Sequence, residues 1–446
     1  MKTLPMSPPD LAATAEMRGA ARDIFDHALA ECSIARAFAR EVHFAEGVLR
    51  IGGDEYDLAR YSRVTVVSIG KAGHTMAQAL TKILPAKLEG VVSCPTAPED
   101  PVAGLRYFIG GHPLPNRDSL RAGEAILAML RALPAESLVL FCISGGASAI
   151  AEWPLDATVT LSDIVAANRT LVYSGAPIAE INAIRKHVSA IKGGRMAEAA
   201  THSTQISLLV SDVPDNALDA LASGPTMPDP STVEDCYAIA ERYEMLPKFP
   251  ARMRGAFQKH QLQETPKPGD AVFANSRFVT LLSNYTAVTA AAERATALGF
   301  TVEVDNRCDD WDYARAADYL MGRLRELRRQ AAHVCLVSGG EVTVKVGSKS
   351  GVGGRNQQLA LYCVEKIAGK AITVLTAGTD GIDGNSGAAG ALVDGLSAAK
   401  AFRLGLDAEG ALADFNASPL LNAVGDTIVT GPTGNNVRDL RILLSY

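Results

Sequence analysis

The feature that most constrains the fold is a repeated pattern: a continuous apolar run ends in a glycine-rich turn, and a helical segment follows. The clearest runs are 63–69, 137–143, 206–210, 334–338 and 372–377. Uninterrupted apolar runs of this length indicate strands buried on both faces, and strands separated by helices form parallel sheets covered by helices. The sequence therefore predicts an α/β fold in which several buried strands end in small, polar turns.

The length of the chain and a proline-marked stretch within it predict more than one domain. The chain has 446 residues, which is more than one ordinary hydrophobic core accommodates. A polar, proline-marked stretch at 246–269 interrupts the pattern, which then starts again. We predict two α/β domains, over 1–255 and 265–446. A helical pattern near 11–40 begins the first of them, and the sequence leaves open whether this helix packs across onto the second domain.

Composition excludes several classes of protein. The net charge is −6 and no basic-aromatic stripe occurs, which argues against a nucleic-acid partner. No run of 18 uncharged apolar residues predicts a membrane span, and the N-terminus lacks the apolar region of a signal peptide. The seven cysteines are scattered without a C-x-x-C pair, as is typical of buried thiols in a reducing compartment. We therefore expect a cytoplasmic enzyme.

Two turns after predicted strands of the first domain suit an anion, because ligands of open parallel sheets bind at the carboxyl ends of the strands. In S-I-G-K-A-G at 68–73, Gly70 allows a tight turn, and Lys71 begins a helix whose free amides and ammonium group suit a phosphate. In S-G-G-A-S at 144–148, the backbone amides would cradle an anion. The alternatives are a surface lysine and glycines that serve close helix packing.

Two further segments of the first domain carry charge. The run 181–195 predicts a basic helix ending at Gly193-Gly194, for which anion binding competes with a plain solvated face. S-D-V-P-D-N at 211–216 follows a strand, so Asp212 is a candidate for magnesium binding or proton acceptance. The alternative there is a turn capped by an aspartate side chain.

The second domain repeats the arrangement. Glu341 follows the strand at 334–338, and Arg355 stands in the first turn of a predicted helix. Asp380 and Asp383 lie in the glycine-rich segment 376–384. The turns S-G-G at 144–146 and 338–340 resemble each other, either through an internal duplication or because such turns recur after buried strands.

This combination of charges favours phosphoryl transfer, which needs cations and amides to spread charge and an acceptor positioned in line. Lys71 and Arg355 would supply the cations, and Asp212 or Asp380 would bind the metal or accept the proton. A dehydrogenase would require a dinucleotide-binding fingerprint, which is missing from the sequence. The G-x-S-x-G elbow of a hydrolase is absent as well.

Ten segments are long and unusual enough to compare with known families. They are SIGKAGHTMA, GHPLPN, CISGGASAI, INAIRKHVSAIKGGR, SDVPDN, SGPT, SGGE, GVGGRNQQLA, TAGTDGIDG and TGPTGNNVRDL. In this set and order, from about residue 15 to 440, the chain resembles the glycerate 2-kinase family with a C-terminal MOFRL domain. It departs from the family pattern at Ala147, where a glycine is common, and at Asn435-Asn436, where Thr-Asn is usual.

The resemblance implies ATP- and Mg²⁺-dependent phosphorylation of D-glycerate at its 2-hydroxyl. It also implies a larger Rossmann-like N-terminal domain, a smaller α/β C-terminal domain and an active site in the cleft between them. Lys71, Asp212 and Arg355 would be catalytic, Asp212 and Asp380 would hold the metal, and Glu341, Arg355 and Asp380 would bind substrate. The candidate cofactor contacts are Gly70, Ser144, Gly145, Gly146, Ser148, Lys192, Gly193, Arg195 and Asn216.

Two other functions stay open at this point. An NAD(P)H-dependent hydroxypyruvate reductase is the rival enzyme, since that name has been attached to members of this family. A non-catalytic protein that binds sugar acids or nucleotides is the rival from another class. Either a monomer or a homodimer is compatible with the sequence.

Overall fold

The computed structural model describes residues 11–84, 88–347 and 351–446. Within them the chain forms fifteen strands, sixteen α-helices and four short 3₁₀ helices. The strands are β1 (Val42–Ala45), β2 (Val48–Ile51), β3 (Asp54–Asp57), β4 (Arg63–Ile69), β5 (Glu89–Cys94), β6 (Leu105–Ile109), β7 (Ser137–Ser144), β8 (Thr204–Val210), β9 (Ser276–Leu282), β10 (Thr301–Val304), β11 (Val334–Gly340), β12 (Ile372–Gly378), β13 (Gly390–Asp394), β14 (Thr427–Ile428) and β15 (Asp439–Ser445).

The helices alternate with these strands along most of the chain. The α-helices are α1 (Leu11–Glu31), α2 (Ile34–Glu41), α3 (Gly73–Ile83), α4 (Arg117–Arg131), α5 (Ala147–Ile150), α6 (Leu161–Val172), α7 (Ile178–Val188), α8 (Arg195–Ala199), α9 (Val233–Arg242), α10 (Ala251–Gln258), α11 (Asn284–Ala297), α12 (Tyr313–Arg328), α13 (Arg355–Ile367), α14 (Ser397–Arg403), α15 (Ala408–Ala413) and α16 (Ala417–Ala423). The 3₁₀ helices are Leu58–Arg60, Leu218–Ser223, Leu246–Lys248 and Ala271–Phe273. No helix of the described residues has the length and apolar character needed to cross a membrane.

The chain divides into two compact units. The central unit is Ile34–Leu281, and the terminal unit joins the described residues up to Ser33 with Leu282–Tyr446. Helix α1 belongs to the terminal unit, where it packs against α11 and β12. The division predicted from the sequence, into 1–255 and 265–446, assumed that each domain is one continuous stretch of the chain.

The central unit is built on a six-stranded sheet in the order β6-β5-β4-β7-β8-β9. The pairs from β6 to β8 are all parallel, and every residue of β7 is buried. If the five strands from β6 to β8 are numbered by their order along the chain, their order across the sheet is 3-2-1-4-5. The order therefore reverses between β4 and β7. That reversal is the topological switch point at which open α/β sheets bind their ligands. The predicted Rossmann-like parallel sheet is confirmed here.

The terminal unit has a mixed sheet in the order β10-β11-β15-β12-β13-β14. Strand β10 pairs with β11 in parallel, whereas the C-terminal strand β15 lies between β11 and β12 and is antiparallel to both. The sequence predicted β11 and β12 but not β15. The terminal unit is therefore an α/β unit in which the last strand of the chain joins the two halves of the sheet.

Candidate functional site

The turns after β4 and β7 approach each other closely at the switch point of the central unit. Gly70 follows β4 with φ +116°, and a Cβ atom there would lie 2.5 Å from the carbonyl oxygen of Ser144 and closer still to its Oγ. A left-handed backbone and the absence of a side chain are both required at this position. Glycine at 70 therefore lets the two strand ends meet.

Two hydrogen bonds hold the turns together. The backbone N–H of Lys71 donates to the carbonyl oxygen of Gly145 at 2.9 Å. The backbone N–H of Ala72 donates to Ser144 Oγ at 3.0 Å. The Lys71 side chain itself is exposed, and its Cγ lies 3.2 Å from the position of a Cβ on Gly146. The predicted lysine and the predicted small-residue turn therefore form one cluster.

Asp212 joins this cluster from the next strand, since it follows β8. Its carboxylate lies directly against Gly145, where a Cβ would be 2.7 Å from Asp212 Cγ and closer to Oδ2. The glycines of the turn after β7 thus lie between the Lys71 side chain and the Asp212 carboxylate. This arrangement places a lysine side chain and a carboxylate at one edge of the sheet.

His112 is a member of the cluster that the sequence reasoning missed. A Cβ on Gly146 would lie 2.9 Å from His112 Cδ2 and 3.2 Å from Nε2, beside the Lys71 stem. Burial lowers the pKa of His112, and the charge of Lys71 lowers it further. The imidazole is therefore neutral near pH 7 and can donate or accept a hydrogen bond. The segment GHPLPN was the available signal, but the histidine within it was not singled out.

Two other predicted cofactor contacts, Ser148 and Gly193, converge on Ser223, the first residue of the segment S-G-P-T at 223–226. Ser148 Oγ lies 3.1 Å from Ser223 Oγ, and the backbone N–H of Gly193 donates to the Ser223 carbonyl at 3.0 Å. Ser223 and its neighbour Ala222 both have positive φ. The segment after β8 is therefore folded back against the turn after β7.

Lys192 and Arg195 are largely buried and bonded to groups of the protein itself. Lys192 Nζ pairs with the Glu152 carboxylate, and burial lowers the pKa of Lys192 while Glu152 opposes that change. Arg195 Nη2 donates to the backbone carbonyls of Gln263 and Glu264, both at 3.1 Å. Asn216 is exposed in the loop after β8. Their nucleotide contacts remain predictions.

In the terminal unit, the three predicted substrate residues line one cavity of about 650 Å³. Arg355 begins α13, and its guanidinium holds Asp439 with two bonds, Nε to Oδ2 at 2.6 Å and Nη2 to Oδ1 at 3.0 Å. The same Nη2 lies 2.8 Å from Glu341 Oε1. Asp380 lines the cavity too, and its Oδ1 accepts the backbone N–H of Ile382 at 3.1 Å.

Burial and charge act on this group in opposite directions. Burial raises the pKa of Glu341, and the charge of Arg355 lowers it again in part. For Arg355, burial lowers the pKa, but the Asp439 and Glu341 carboxylates outweigh that effect and raise it above its ordinary value. The guanidinium therefore stays charged. The sequence reasoning missed Asp439, although an acid within a buried strand was a usable signal.

Asp383, which shares its segment with Asp380, has a different environment. It is 2% exposed, and its carboxylate accepts the backbone N–H groups of Asn356 at 3.1 Å and Gln357 at 2.8 Å. It therefore binds the free amides in the first turn of α13. Burial raises the pKa of Asp383 to about 6 against those hydrogen bonds.

Comparison with known proteins assigns the family. Residues 20–258 match a family described as a domain of unknown function, DUF4147, and residues 334–439 match the MOFRL family. The chain is 32% identical to a glycerate 2-kinase of Pyrococcus horikoshii over 92% of this chain and 93% of that protein. This chain belongs to the glycerate 2-kinase family with a C-terminal MOFRL domain.

Other members of the family agree with the fold. A crystal structure of a glycerate kinase from Thermotoga maritima superposes with a TM-score of 0.84 at 31% identity, covering 97% of this chain and all of that one. A putative hydroxypyruvate reductase of Agrobacterium vitis is 35% identical over 86% of this chain and 87% of its own length. The family and fold expected from the ten segments are confirmed.

Proposed function

We propose that this protein is a glycerate kinase that transfers the γ-phosphoryl group of ATP to the 2-hydroxyl of D-glycerate, giving 2-phosphoglycerate and ADP. Family membership and the names of its relatives support the reaction. The observation that carries the proposal for this chain is the cluster of Lys71, His112 and Asp212 around the glycine turn at 145–146. It combines a cation, the backbone amides of that glycine turn and a carboxylate at the switch point of a parallel sheet.

In the proposed step, the 2-hydroxyl oxygen of glycerate attacks the γ-phosphorus of ATP. The new oxygen–phosphorus bond forms as the bond between the γ-phosphorus and the β–γ bridging oxygen breaks, and ADP leaves. The hydroxyl proton passes to Asp212, with Asp380 as the second candidate. Lys71 offsets the charge on the phosphate oxygens, and the amides of the turn after β7 bind the phosphates. The backbone N–H groups of residues 70 to 73, after β4, already donate to groups of the protein itself.

Arg355 is proposed to hold the carboxylate of glycerate. A guanidinium has five N–H donors, and Nε and Nη2 are used by Asp439 and Glu341. Nη1 has no hydrogen bond or ion pair to any residue within the described ranges. Arg355 thus keeps one donor group for a ligand while two carboxylates fix its orientation. Glu341 is proposed to contact a substrate hydroxyl.

Mg²⁺ belongs to the proposal as the partner of ATP. Within the described residues no group of three or more His, Cys, Asp and Glu side chains could hold a metal ion. A kinase does not need such a cage, because Mg²⁺ is usually bound by one or two carboxylates together with substrate phosphates and water. Asp380 would hold the ion when Asp212 accepts the proton, and Asp212, beside the glycine turn, would hold it when Asp380 accepts the proton. Bound there, the ion would neutralise phosphate charge.

Product analysis tests the proposal. The purified protein is incubated with ATP, MgCl₂ and D-glycerate, and the phosphorylated product is resolved by ³¹P NMR against standards of 2- and 3-phosphoglycerate. We expect 2-phosphoglycerate and one equivalent of ADP. Formation of 3-phosphoglycerate would refute the position of transfer. Binding of glycerate without ADP formation would support the non-catalytic alternative.

A hydroxypyruvate reductase is the second candidate, because two relatives carry the name putative hydroxypyruvate reductase. The turn after β4, G-K-A-G at 70–73, lacks the G-x-G-x-x-G spacing that binds a dinucleotide pyrophosphate. Mixing the protein with hydroxypyruvate and NADH or NADPH and following absorbance separates the two. We expect no oxidation of either nucleotide at a protein concentration at which ADP formation is readily measured.

A further inference from the structure

A cavity of the central unit lies among α6, α7 and α10, and it shares no residue with the cluster of Lys71, His112 and Asp212. Its volume is about 200 Å³. For comparison, an engineered apolar protein cavity of ~150 Å³ binds benzene. The cavity therefore has room for one small ring with a polar substituent.

The walls of this cavity are mostly hydrocarbon. The apolar side chains that line it include Leu155, Ile164, Leu171, Met253, Phe257 and Leu262. Several of them also belong to the hydrophobic core beneath α7, α9 and α10. A ligand there would remove apolar surface from water, which is the main favourable term in binding small apolar molecules.

One cation lines the cavity with part of its bonding capacity unused. Arg185 Nε donates to Asn168 Oδ1 at 3.0 Å, and Asn168 lines the cavity as well. Neither Nη1 nor Nη2 of Arg185 has a hydrogen bond or ion pair to any residue that the structure describes. Burial lowers the pKa of Arg185, opposed by the nearby charge of Glu152. A guanidinium with two unused donor groups in a half-buried wall matches the fork geometry of a carboxylate.

The two acids of the wall are already bonded elsewhere. Glu152 accepts hydrogen bonds from Ser189 Oγ and the Trp153 backbone, and its other oxygen pairs with Lys192. Asp156 Oδ1 accepts both the backbone N–H and the hydroxyl of Thr158. A further arginine, Arg252, also lines the cavity. Two acids and two arginines line the cavity, so their formal charges cancel. The preference for an anion therefore rests on the unused Nη groups of Arg185.

We propose that this cavity is a binding site for a small monocarboxylate with an apolar body, of the size of benzoate. Its carboxylate pairs with the Nη groups of Arg185, and its ring packs between α6 and α10. The site is separate from phosphoryl transfer, so the ligand is neither the substrate nor the nucleotide of the proposed reaction.

Isothermal titration calorimetry on the full chain tests this site, with benzoate as the probe and benzyl alcohol as its uncharged analogue. We expect benzoate to bind at least ~10-fold more tightly than benzyl alcohol, because a charge-assisted pair contributes at least that factor. Arg185→Met should reduce the preference to near unity. Equal affinity for the two probes in the unaltered protein would overturn the proposal.

A second variant guards against misfolding of Arg185→Met. Ala256 lines the cavity from α10, and Ala256→Leu should fill it and abolish benzoate binding. Ala251→Leu is the matched control, because Ala251 begins the same helix, is exposed and lies outside the cavity. Unchanged benzoate affinity in Ala256→Leu would place the probe elsewhere and refute the site. Displacement of benzoate by saturating ATP or D-glycerate would refute its separation from the reaction.

Discussion

Gly145→Ala offers a direct test of the cluster at the switch point. The φ angle of Gly145 is not in the left-handed region, so alanine can adopt its backbone conformation. The new Cβ would lie 2.7 Å from Asp212 Cγ and closer to Oδ2. The Asp212 carboxylate would have to move by roughly 1 Å to reach ordinary contact at about 3.5 Å. The substitution therefore displaces one functional group and leaves it chemically intact.

The size of the effect follows from that displacement. A misplacement of ~1 Å at a reacting group costs about 10²-fold in rate, and removing a general base costs about 10²–10⁴-fold. We expect kcat of Gly145→Ala to fall ~100-fold. The fold should survive, since the contact is with the mobile end of a side chain, and the bond from Lys71 N–H to the Gly145 carbonyl is retained. Overpacking of this kind costs about 1–3 kcal/mol of stability.

The assay measures ADP release from ATP and D-glycerate for Gly145→Ala, Asp212→Asn and the double variant. If both single changes act on the same carboxylate, the double variant should be no slower than Asp212→Asn. Gly255→Ala in α10 is the control, because nothing lies within 4 Å of its new Cβ and alanine is the better helix former. Rate losses that multiply in the double variant, or an unimpaired Gly145→Ala enzyme, would refute the role of Asp212.

Three further predictions concern single residues. Lys71→Ala should lower kcat by about 10²–10³-fold at an unchanged melting temperature, because the side chain is exposed, and normal turnover would exclude its proposed role. Gly70→Ala should lower the melting temperature more than Gly53→Ala, since both glycines have positive φ but only Gly70 also meets Ser144; equal losses would contradict the close approach. Burial raises the pKa of Asp383 from 3.8 to about 6, so the native state binds this proton more tightly than the unfolded chain. Stability from this group should fall as pH rises from about 4 to 7, by on the order of 2 kcal/mol, and Asp383→Asn should remove that slope from urea midpoints, whereas an unchanged slope would exclude Asp383 as its source.

The parts of the fold that the sequence predicted are those encoded locally. The run at 63–69 is strand β4 residue for residue, and the run at 137–143 is β7 short of its last residue. The turns that follow were also found, because glycine and lysine after a buried strand are a local signal. Gly70, Lys71 and Asp212 all lie against the turn at 144–146, because parallel strands bring their carboxyl ends to one edge of the sheet. The candidate cluster could therefore be assembled without knowing any tertiary contact.

Buried charges were predicted poorly, because their partners are distant in sequence. The basic helix expected over 181–195 ends at Val188, and the next helix begins at Arg195. The expectation that this helix presents a solvated face is wrong for Lys186, which is 4% exposed. Its Nζ donates to Asp219 at 2.8 Å and to Asp229 at 3.2 Å. Spacing within a helix identifies its faces, but it does not identify a carboxylate more than thirty residues away.

The C-terminal strand shows how such sites can be found from a sequence. In β15, Asp439 stands in an apolar run directly after Arg438, and its register places it opposite Gly340 on β11 and Gly378 on β12. A charge in a central strand is costly unless it is paired. Asp439 is paired with Arg355, and Arg438 with Asp309 at 2.6 and 2.7 Å. Charged residues that interrupt a buried strand therefore indicate a built polar site, because the fold cannot retain them otherwise. The same reasoning applied to V-R-D-L-R would have added Asp439 to the candidate residues beside Arg355.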